Sequence, residues 1–243
     1  MIDFGDLLPS VTVTPPGPGS RDLAARLRGT ESRNVTWLGE DFPIFWTEAR
    51  GANVRDADGN VYLDLTGAFG VALAGHGHPR VVGAIREQAA RLVHGMGDVH
   101  PPAVKVELLE RLGLLAPWRD ARTVLASTGS EAVEIALKTA LLATDRPGIL
   151  AFAGGYHGLT LGALAATARS HFRRAFQARI YPGVARAPFP WGPEAGEGER
   201  ALEVVEECLR RGAPGGDPIG AVILEPVQGR AGVRIPPAGF LAG

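Results

Sequence analysis

The stretch that decides the fold is RTVLASTGSEAVEIALKTALLATD, residues 122–145. Residues 123–126 are apolar and β-branched, which predicts a short buried strand. From Ala132 to Ala143 apolar residues recur at helical spacing, so the strand is expected to lead into a helix. The turn between them, Ser-Thr-Gly-Ser-Glu at 127–131, would place backbone N–H groups and the positive end of the helix dipole at one point. Such a turn can bind phosphate, but an ordinary turn with Thr or Ser as the helix cap would have the same sequence.

The composition is that of an ordinary globular protein and argues against several functions. The 243 residues are 45% hydrophobic and 21% charged with a net charge of −1, so neither nucleic acid nor an acidic membrane surface is an expected partner. No apolar run reaches membrane-spanning length, and residues 1–10 lack the basic start of a secretory signal. The single cysteine, Cys208, excludes an intramolecular disulfide. These features predict a cytoplasmic protein.

The residues before the central stretch predict an arm followed by a small sheet. Residues 1–19 end in Thr-Pro-Pro-Gly-Pro-Gly, which predicts a flexible N-terminal arm. Strands are expected at 44–49, 53–56 and 61–65, with an Asp-Gly turn at 58–59 between the last two. The predicted result is a small antiparallel sheet.

Two polar clusters are open to more than one interpretation. His76 and His78 flank a glycine just before a helix that Pro79 begins. No third ligand is near, so packing and capping are favoured over a metal site, and no metal is predicted. Arginines among aromatic residues surround Ser170. Because the whole chain is nearly neutral, these arginines are expected in a solvated or interface loop rather than a nucleic-acid site.

After the central stretch strands alternate with helices, which predicts an α/β fold with a mainly parallel sheet. Buried strands are expected at 148–153 and 219–224, a helix at 199–211 and irregular structure at 170–198. Ligands of such sheets bind outside the carboxyl ends of the strands. The segments expected to meet there are 127–131, Gly-Gly-Tyr-His-Gly at 154–158 and Glu-Pro-Val-Gln-Gly at 225–229.

In this order and spacing, the strand-end segments resemble the class III aminotransferases, which are pyridoxal-phosphate (PLP) enzymes of fold type I. The likeness rests on Ser-Thr-Gly-Ser-Glu-Ala at 127–132, Tyr-His-Gly at 156–158 and Glu-Pro-Val-Gln-Gly at 225–229. Upstream, Asp-Ala-Asp-Gly-Asn-Val-Tyr-Leu-Asp at 56–64 and Gly-His-Gly-His-Pro at 75–79 are similar to the family's N-terminal signature. The resemblance covers the chain from about residue 34 to its last residue.

The resemblance implies a domain organisation and a set of partners. It makes residues 20–73 the N-terminal part of a small domain and residues 74–243 a large cofactor-binding domain, with the arm before them. It also implies a homodimer, in which the loop at 67–77 and the Arg-rich segment after Ser170 meet a partner subunit. The substrates would be an amino acid or ω-amino donor and a 2-oxo acid acceptor.

The resemblance assigns the phosphate of PLP to the turn before the central helix. Thr128, Gly129 and Ser130 would hold it through backbone N–H and hydroxyl groups. Glu131 is expected only to complement the helix dipole.

At the other two strand ends the resemblance implies an aromatic platform and a carboxylate. Tyr156 would stack on the pyridine face, and His157 would either lie under the ring edge or simply pack. Glu225 would lie over the cofactor pocket and act through its charge, the alternative being a strand-end carboxylate in water. Gln228 is a further candidate cofactor ligand.

The chain departs from the family in its lysines. The family needs a Schiff-base lysine and an aspartate paired with the pyridine nitrogen, and both lie downstream of the Glu-Pro-Val-Gln-Gly segment. The two lysines present, Lys105 and Lys138, do not match the family's lysine. The chain is therefore expected to be the N-terminal part of an aminotransferase, truncated before that aspartate and lysine, and inactive by itself.

Three kinds of function are compatible with these features. The first is PLP-dependent transfer of an amino group by the complete enzyme, with a 1,2-aminomutase of the same family as a variant. The second is a non-catalytic fragment or pseudoenzyme that retains phosphate binding or dimer contacts. The third is a nucleotide-binding α/β domain such as a dehydrogenase, which is disfavoured because no Gly-x-Gly-x-x-Gly follows the first parallel strand.

Overall fold

An antiparallel sheet belongs to the first of two structural units and a parallel sheet to the second. The computed structural model describes residues 3–33, 35–192 and 196–243, and the two units are Met1–Glu107 and Leu108–Gly243. This division falls later in the chain than the boundary after residue 73 that the resemblance implies, and that boundary stays a prediction.

The first unit is built around three antiparallel strands, β1 (Trp46–Arg50), β2 (Asn53–Asp56) and β3 (Val61–Leu63). β2 lies in the centre, with β1 and β3 hydrogen-bonded on its two sides. This arrangement confirms the predicted small sheet and its Asp-Gly turn. The helices of this unit are a 3-10 turn at Phe4–Asp6, α1 (Pro18–Thr30), the short α2 (Gly67–Gly70), α3 (Pro79–Arg91) and α4 (Ala103–Leu115), which continues into the second unit.

Part of the predicted flexible arm is hydrogen-bonded to this sheet. Ser10 exchanges two backbone hydrogen bonds with Val61 of β3, of 2.9 and 2.8 Å. The side chain of Asn60 accepts from the N–H groups of Thr12 and Val13 and donates to the Val13 carbonyl oxygen. The partners of the arm lie far away in the sequence, so its Pro/Gly content could not indicate that residues 10–13 are held in this way.

Helix α1 is capped by a side chain from the hairpin turn. Its N-cap residue is Gly17, which has no side chain to offer. The carboxylate of Asp58 instead accepts from the N–H groups of Gly19 (2.6 Å) and Ser20 (3.0 Å) and from the Ser20 hydroxyl (2.7 Å). The turn between β2 and β3 therefore fixes the start of α1.

The two histidines before α3 have different surroundings. His76 Nε2 lies 2.8 Å from Asp64 Oδ2. Hydrogen bonds from Thr66 and His76 lower the pKa of Asp64 to about 2. His78 is the N-cap residue of α3 and makes no side-chain cap bond. Within residues 3–33, 35–192 and 196–243, no group of His, Cys, Asp and Glu is arranged to hold a metal ion.

The second unit is built around β4 (Gly148–Phe152), which has β5 (Val184–Ala187) and β6 (Ile219–Val222) parallel to it on its two edges. This is the α/β fold with a parallel sheet that the sequence predicts. Its helices are α5 (Gly129–Thr144), α6 (Leu161–Ala166), α7 (Ser170–Arg173) with a 3-10 turn at Arg174–Phe176, and α8 (Glu197–Arg211). In the described parts of the chain, no helix is long and apolar enough to cross a membrane.

Strand β4 is buried along its whole length and separates two apolar clusters. Phe152 packs on one face, where its ring meets those of Phe189 and Phe240 edge-on at centroid distances of 6.4 and 6.0 Å. Ile149 and Ala151 belong to the cluster on the other face, with helix α6. Alternate residues of a strand point to opposite faces, so a strand that is apolar at every position suits a sheet covered on both sides.

The predicted strand at 123–126 is wrong. Val124 is 69% exposed and Leu125 43% exposed, and no described strand is hydrogen-bonded to this segment. A strand is stable only where a neighbour takes up its backbone N–H and C=O groups. The apolar composition is typical of a strand, but composition does not determine whether a second strand lies beside it to form the hydrogen bonds.

The segment at 170–198 was expected to be irregular, and this too is wrong in part because it contains α7 and β5. β5 has the sequence Val-Ala-Arg-Ala, so a charged residue interrupts its apolar pattern. Arg186 Nη2 donates to the carbonyl oxygens of Ala165 and Thr167, while the buried Nε has no hydrogen-bond partner among the described residues. Burial, with the nearby Arg173, lowers the pKa of Arg186 to about 10.

Asp56 provides a test of the first unit. Its carboxylate is fully buried and accepts from the N–H groups of Asp58 and Asn60, the Asn60 amide and the Tyr62 hydroxyl, at 2.7–2.9 Å. Asp56→Ala should lower the free energy of unfolding by about 2–4 kcal/mol, because buried donors lose their acceptor. The exposed Asp22→Ala should change it by less than about 0.5 kcal/mol. Urea denaturation measures both, and equal midpoints for the two variants would contradict this role of Asp56.

Candidate functional site

The first turn of helix α5 is an open helix terminus. Thr128 is the N-cap, and its Oγ1 accepts from the Glu131 N–H at 3.1 Å. Glu131 Oε2 in turn accepts from the Ser127 N–H at 2.8 Å, so Glu131 caps the turn in addition to facing the helix dipole. The N–H groups of Gly129 and Ser130 lie in the first turn, where no intrahelical carbonyl is available. A Cβ atom added to Gly129 would meet nothing within 4 Å, which leaves room for an anion.

The side chain of Ser130 is directed to the start of helix α6. Its Oγ accepts from the N–H groups of Leu159 (3.2 Å) and Thr160 (3.0 Å) and lies 2.7 Å from Thr160 Oγ1. One turn further along α5, Glu134 accepts from the N–H of Gly162 at 2.6 Å. Two side chains of α5 therefore hold the N-terminus of α6. Because the Ser130 hydroxyl already has these partners, its backbone N–H is the group that remains for a phosphate.

The Tyr156–Gly158 turn approaches α5 so closely that only glycine fits at its end. Gly158 has a φ of +122°, which favours glycine. A Cβ atom at this position would lie 2.6 Å from Ser130 Cβ and 2.9 Å from Ser130 Cα. The loop after β4 is therefore in contact with the first turn of α5.

Glu225 connects the loops that follow β4 and β6. Its Oε2 accepts from the Tyr156 N–H at 2.8 Å and its Oε1 from the Gly229 N–H at 3.3 Å. The carboxylate is half-buried and has two backbone donors, unlike a strand-end carboxylate that is free in water. The Tyr156 ring contacts Phe172 edge-on, with 5.9 Å between centroids.

Gln228 ties the same two loops together from the inside. It is fully buried, and its Nε2 donates to the Ala153 carbonyl oxygen at 2.8 Å. Its amide oxygen has no hydrogen-bond partner among the described residues. A buried acceptor without a donor is costly, so this oxygen is an atom that a bound ligand can satisfy.

His157 lies behind the turn rather than on its surface. Its side chain is buried, and its backbone N–H donates to Thr167 Oγ1 at 3.0 Å. Burial lowers the pKa of His157 and Arg186 acts in the same direction, while Glu225 opposes them. The imidazole is therefore neutral at neutral pH. Its buried Nε2 has no hydrogen-bond partner among the described residues, and both roles predicted for His157, packing and contact with the ring edge of the cofactor, stay predictions.

The three predicted segments lie together, as the sequence led us to expect. Gly158 closely approaches Ser130, and the Tyr156 N–H donates to Glu225. The open α5 terminus and the partly exposed Tyr156 ring fit a phosphate and an aromatic ring respectively. The roles of these residues as cofactor ligands stay predictions.

Lys138 does not lie at the first turn of α5. Lys138 lies on α5 two turns beyond Ser130, roughly 12 Å along the axis at 1.5 Å per residue. Lys105 is in the other unit, where its Nζ donates to the Gly97 carbonyl oxygen at 2.8 Å.

The fold and these contacts define an α/β protein in which helix α5 begins beside the loop that follows the central strand of a parallel sheet. The family model "Aminotransferase class-III" matches residues 37–243. The chain is 35% identical over 240 residues to a 4-aminobutyrate aminotransferase of Mycobacterium leprae, covering 93% of this chain and 52% of the relative. It is 31% identical over 245 residues to an alanine/serine racemase of Pyrococcus horikoshii, covering 96% and 51%.

A solved structure leads to the same family. An amine transaminase from an uncultivated Pseudomonas species, in its PLP-bound form, superposes with a TM-score of 0.77 at 27% identity, over 88% of this chain and 52% of that one. The chain belongs to the class III aminotransferase family and has the fold of PLP-dependent transaminases. It spans about half the length of the relatives it matches. The dehydrogenase alternative is therefore set aside.

Sequence reasoning missed several residues that position the site. Thr167 is fully buried, and its hydroxyl accepts from His157 N–H and donates to the Gly158 carbonyl oxygen at 2.9 Å. Thr160 and Glu134 link α5 and α6. Their hydrogen-bond partners lie outside any local sequence motif. The only signal in the sequence was that these side chains can form hydrogen bonds.

The contact of Gly158 with α5 can be tested by a matched pair of glycine substitutions. Gly158→Ala should lower the free energy of unfolding by about 2 kcal/mol or more, because it combines positive-φ strain with a steric conflict at Ser130. Gly129→Ala places the same methyl group in open space on a helix, and we expect a change within about 1 kcal/mol. Chemical denaturation compares them. A Gly158→Ala chain as stable as Gly129→Ala would show that the close approach is not needed.

Proposed function

We propose that the whole protein is a PLP-dependent aminotransferase that moves an amino group from an amino acid or ω-amino donor to a 2-oxo acid. The observation that supports this most directly is the meeting of the α5 terminus, the Tyr156 turn and Glu225 at one edge of the sheet. Each of these segments alone has an ordinary structural explanation. Together they form the surroundings that a phosphorylated aromatic cofactor requires.

In this proposal the chain's own residues bind and orient the cofactor. The N–H groups of Gly129 and Ser130, at the positive end of α5, bind the phosphate. The plane of Tyr156 sets the tilt of the pyridine ring. Glu225 adds a negative charge beside Tyr156, held in place by two N–H donors. When bound, PLP supplies an electron sink, and the protein contributes orientation and electrostatics.

The amine and the acid that the reaction also requires come, in this proposal, from a part of the whole protein that this chain does not span. Lys138, two helical turns beyond the first turn of α5, is too far from that turn for the first role, and neither Lys138 nor Lys105 stands at the position of the family's lysine. An enzyme that transfers protons needs its acid or base within hydrogen-bond reach of the reacting atom. The chain by itself would then bind and orient without catalysing, which keeps a non-catalytic fragment as the alternative.

A second candidate function follows from the match to the alanine/serine racemase. Racemisation and the 1,2-aminomutase reaction would use the same cofactor-binding residues of this chain. Product analysis with the full-length protein separates transfer, racemisation and internal rearrangement.

We further propose that the whole protein is a homodimer in the cytoplasm. Residues 65–73 expose Leu65, Phe69, Val71 and Leu73, each at least 86% accessible. A run of exposed large apolar residues in one loop is typical of an interface. Cys208 is a free cysteine, which is compatible with a reducing compartment.

A substitution at Gly129 tests the phosphate turn in the full-length protein. Gly129→Asp should raise the dissociation constant for PLP roughly tenfold or more, because a carboxylate would stand against the phosphate at the helix terminus. Gly129→Ala keeps the N–H groups and adds no charge, so its affinity should stay within about threefold. Fluorescence titration measures both. Equal PLP affinity of the Asp and Ala variants would remove this turn from the site.

The dimer is tested at Phe69, which is 97% exposed. In the full-length protein, Phe69→Asp should raise the dimer dissociation constant roughly tenfold or more by placing a charge in an apolar contact. Leu8→Asp, also at an exposed leucine of the first unit, is the control and should leave it unchanged. Sedimentation velocity at several concentrations gives the answer. A monomeric wild type, or a Phe69→Asp variant that dimerises normally, would contradict the proposed interface.

A further inference from the structure

Arg230 lies at the tip of a loop that the fold holds in place. The loop is closed by two backbone hydrogen bonds between Gln228 and Arg234, of 3.0 and 2.9 Å. Gln228 is itself buried and bound to the Ala153 carbonyl oxygen. The Gly229 N–H donates to Glu225. The backbone on both sides of Arg230 is therefore fixed to the candidate site.

The Arg230 guanidinium lies over the aromatic ring that the site presents. Its Cζ is 4.4 Å from the centroid of the Tyr156 ring and 5.7 Å from that of Phe172. A guanidinium stacked on an aromatic face uses its own plane for that contact. The N–H donors around the edge of the guanidinium stay available for a planar acceptor such as a carboxylate.

The positive charge of Arg230 has no carboxylate partner in the described parts of the chain. Their ion pairs all involve other residues. Glu225, on the same loop, uses its two oxygens for the N–H groups of Tyr156 and Gly229. A second guanidinium, that of Arg169, donates to the Arg230 carbonyl oxygen and adds positive charge beside the loop. The surroundings thus attract an anion from outside the chain.

We propose that Arg230 binds the carboxylate of the substrate and selects carboxylate-bearing donors and acceptors over simple amines. The inference rests on the proposed function for the identity of the reaction. The Arg230 guanidinium lies on Tyr156, the ring proposed to orient the cofactor. A substrate carboxylate bound by Arg230 would therefore lie beside the cofactor. Arg230 is a specificity-determining residue in this account, and it takes no part in moving protons.

The test compares donors that differ only in the carboxylate. In n-butylamine a methyl group replaces the carboxylate of 4-aminobutyrate, and in isopropylamine one replaces that of L-alanine. With full-length protein loaded with PLP, the conversion of the cofactor to its amine form is followed by absorbance with the donor alone. Arg230→Gln should lower kcat/KM for 4-aminobutyrate or L-alanine roughly 10- to 100-fold and leave the matched amines unchanged.

Two further variants separate charge from position. Arg230→Lys keeps the charge but loses the planar fork, so it should recover part of the loss. Arg210→Gln removes an exposed arginine of helix α8 and should change nothing. An equal loss of reaction with donors that have and that lack the carboxylate would overturn the proposal. So would a fall in PLP content of the Arg230→Gln protein, because Arg230 would then act only by holding Tyr156.

A binding measurement keeps the inference separate from the reaction. Propionate carries a carboxylate and no amine, and it should shift the Arg230 Nε–Hε resonance of the full-length protein, assigned by its loss in Arg230→Gln. If propionate binds at Arg230 but no donor converts the cofactor, the proposed function fails and the carboxylate site stands. If donors react while propionate leaves this resonance unchanged, the reaction stands and the assignment of Arg230 is wrong.

Discussion

The structure of the second unit depends on a strand that is hydrogen-bonded on both edges and covered on both faces. β4 pairs with β5 and β6 and is buried at every residue. Its position cannot shift without breaking two ladders and opening two apolar clusters, each of which is costly. The Tyr156 turn leaves the end of this strand, and the loop with Glu225 leaves the end of its neighbour. The rigidity of the site follows from this anchoring.

At this edge of the sheet, hydrogen-bond partners determine which polar and charged groups remain available to a ligand. Glu225 accepts hydrogen bonds from backbone N–H groups, and the Ser130 hydroxyl is hydrogen-bonded to the start of helix α6. His157 is kept neutral because burial lowers its pKa. What remains open is the helix terminus at Gly129 and the guanidinium of Arg230. Both are positive, which suits a substrate and a cofactor that carry carboxylate and phosphate groups.

Most of the secondary structure could be predicted from local patterns, and the errors in the strands have one cause. The helix at 129–144 and the strands at 148–152 and 219–222 have strong periodic or continuous apolar patterns. The first of these strands is buried at every residue, whereas the second, predicted as buried, is buried only at Ile219. The segment at 123–126 has a similar apolar pattern, but no described strand pairs with it. The apolar pattern of β5 is interrupted by a charged residue, yet β5 pairs with β4. Strand formation is decided by pairing, and pairing partners in a parallel sheet lie a whole crossover away.

By itself the sequence determined the order and identity of the strand-end motifs, the start of helix α5 and the scarcity of lysine, since these are properties of neighbouring letters. The sequence also has a glycine at 158, but it does not show why glycine is needed there. Only the tertiary structure decided that Ser130 faces Thr160, that Asp58 caps helix α1 and that Arg230 lies on Tyr156. Each of these contacts joins residues far apart in the chain, and the geometry that brings them together is set by how the sheets and helices pack, which no local pattern encodes.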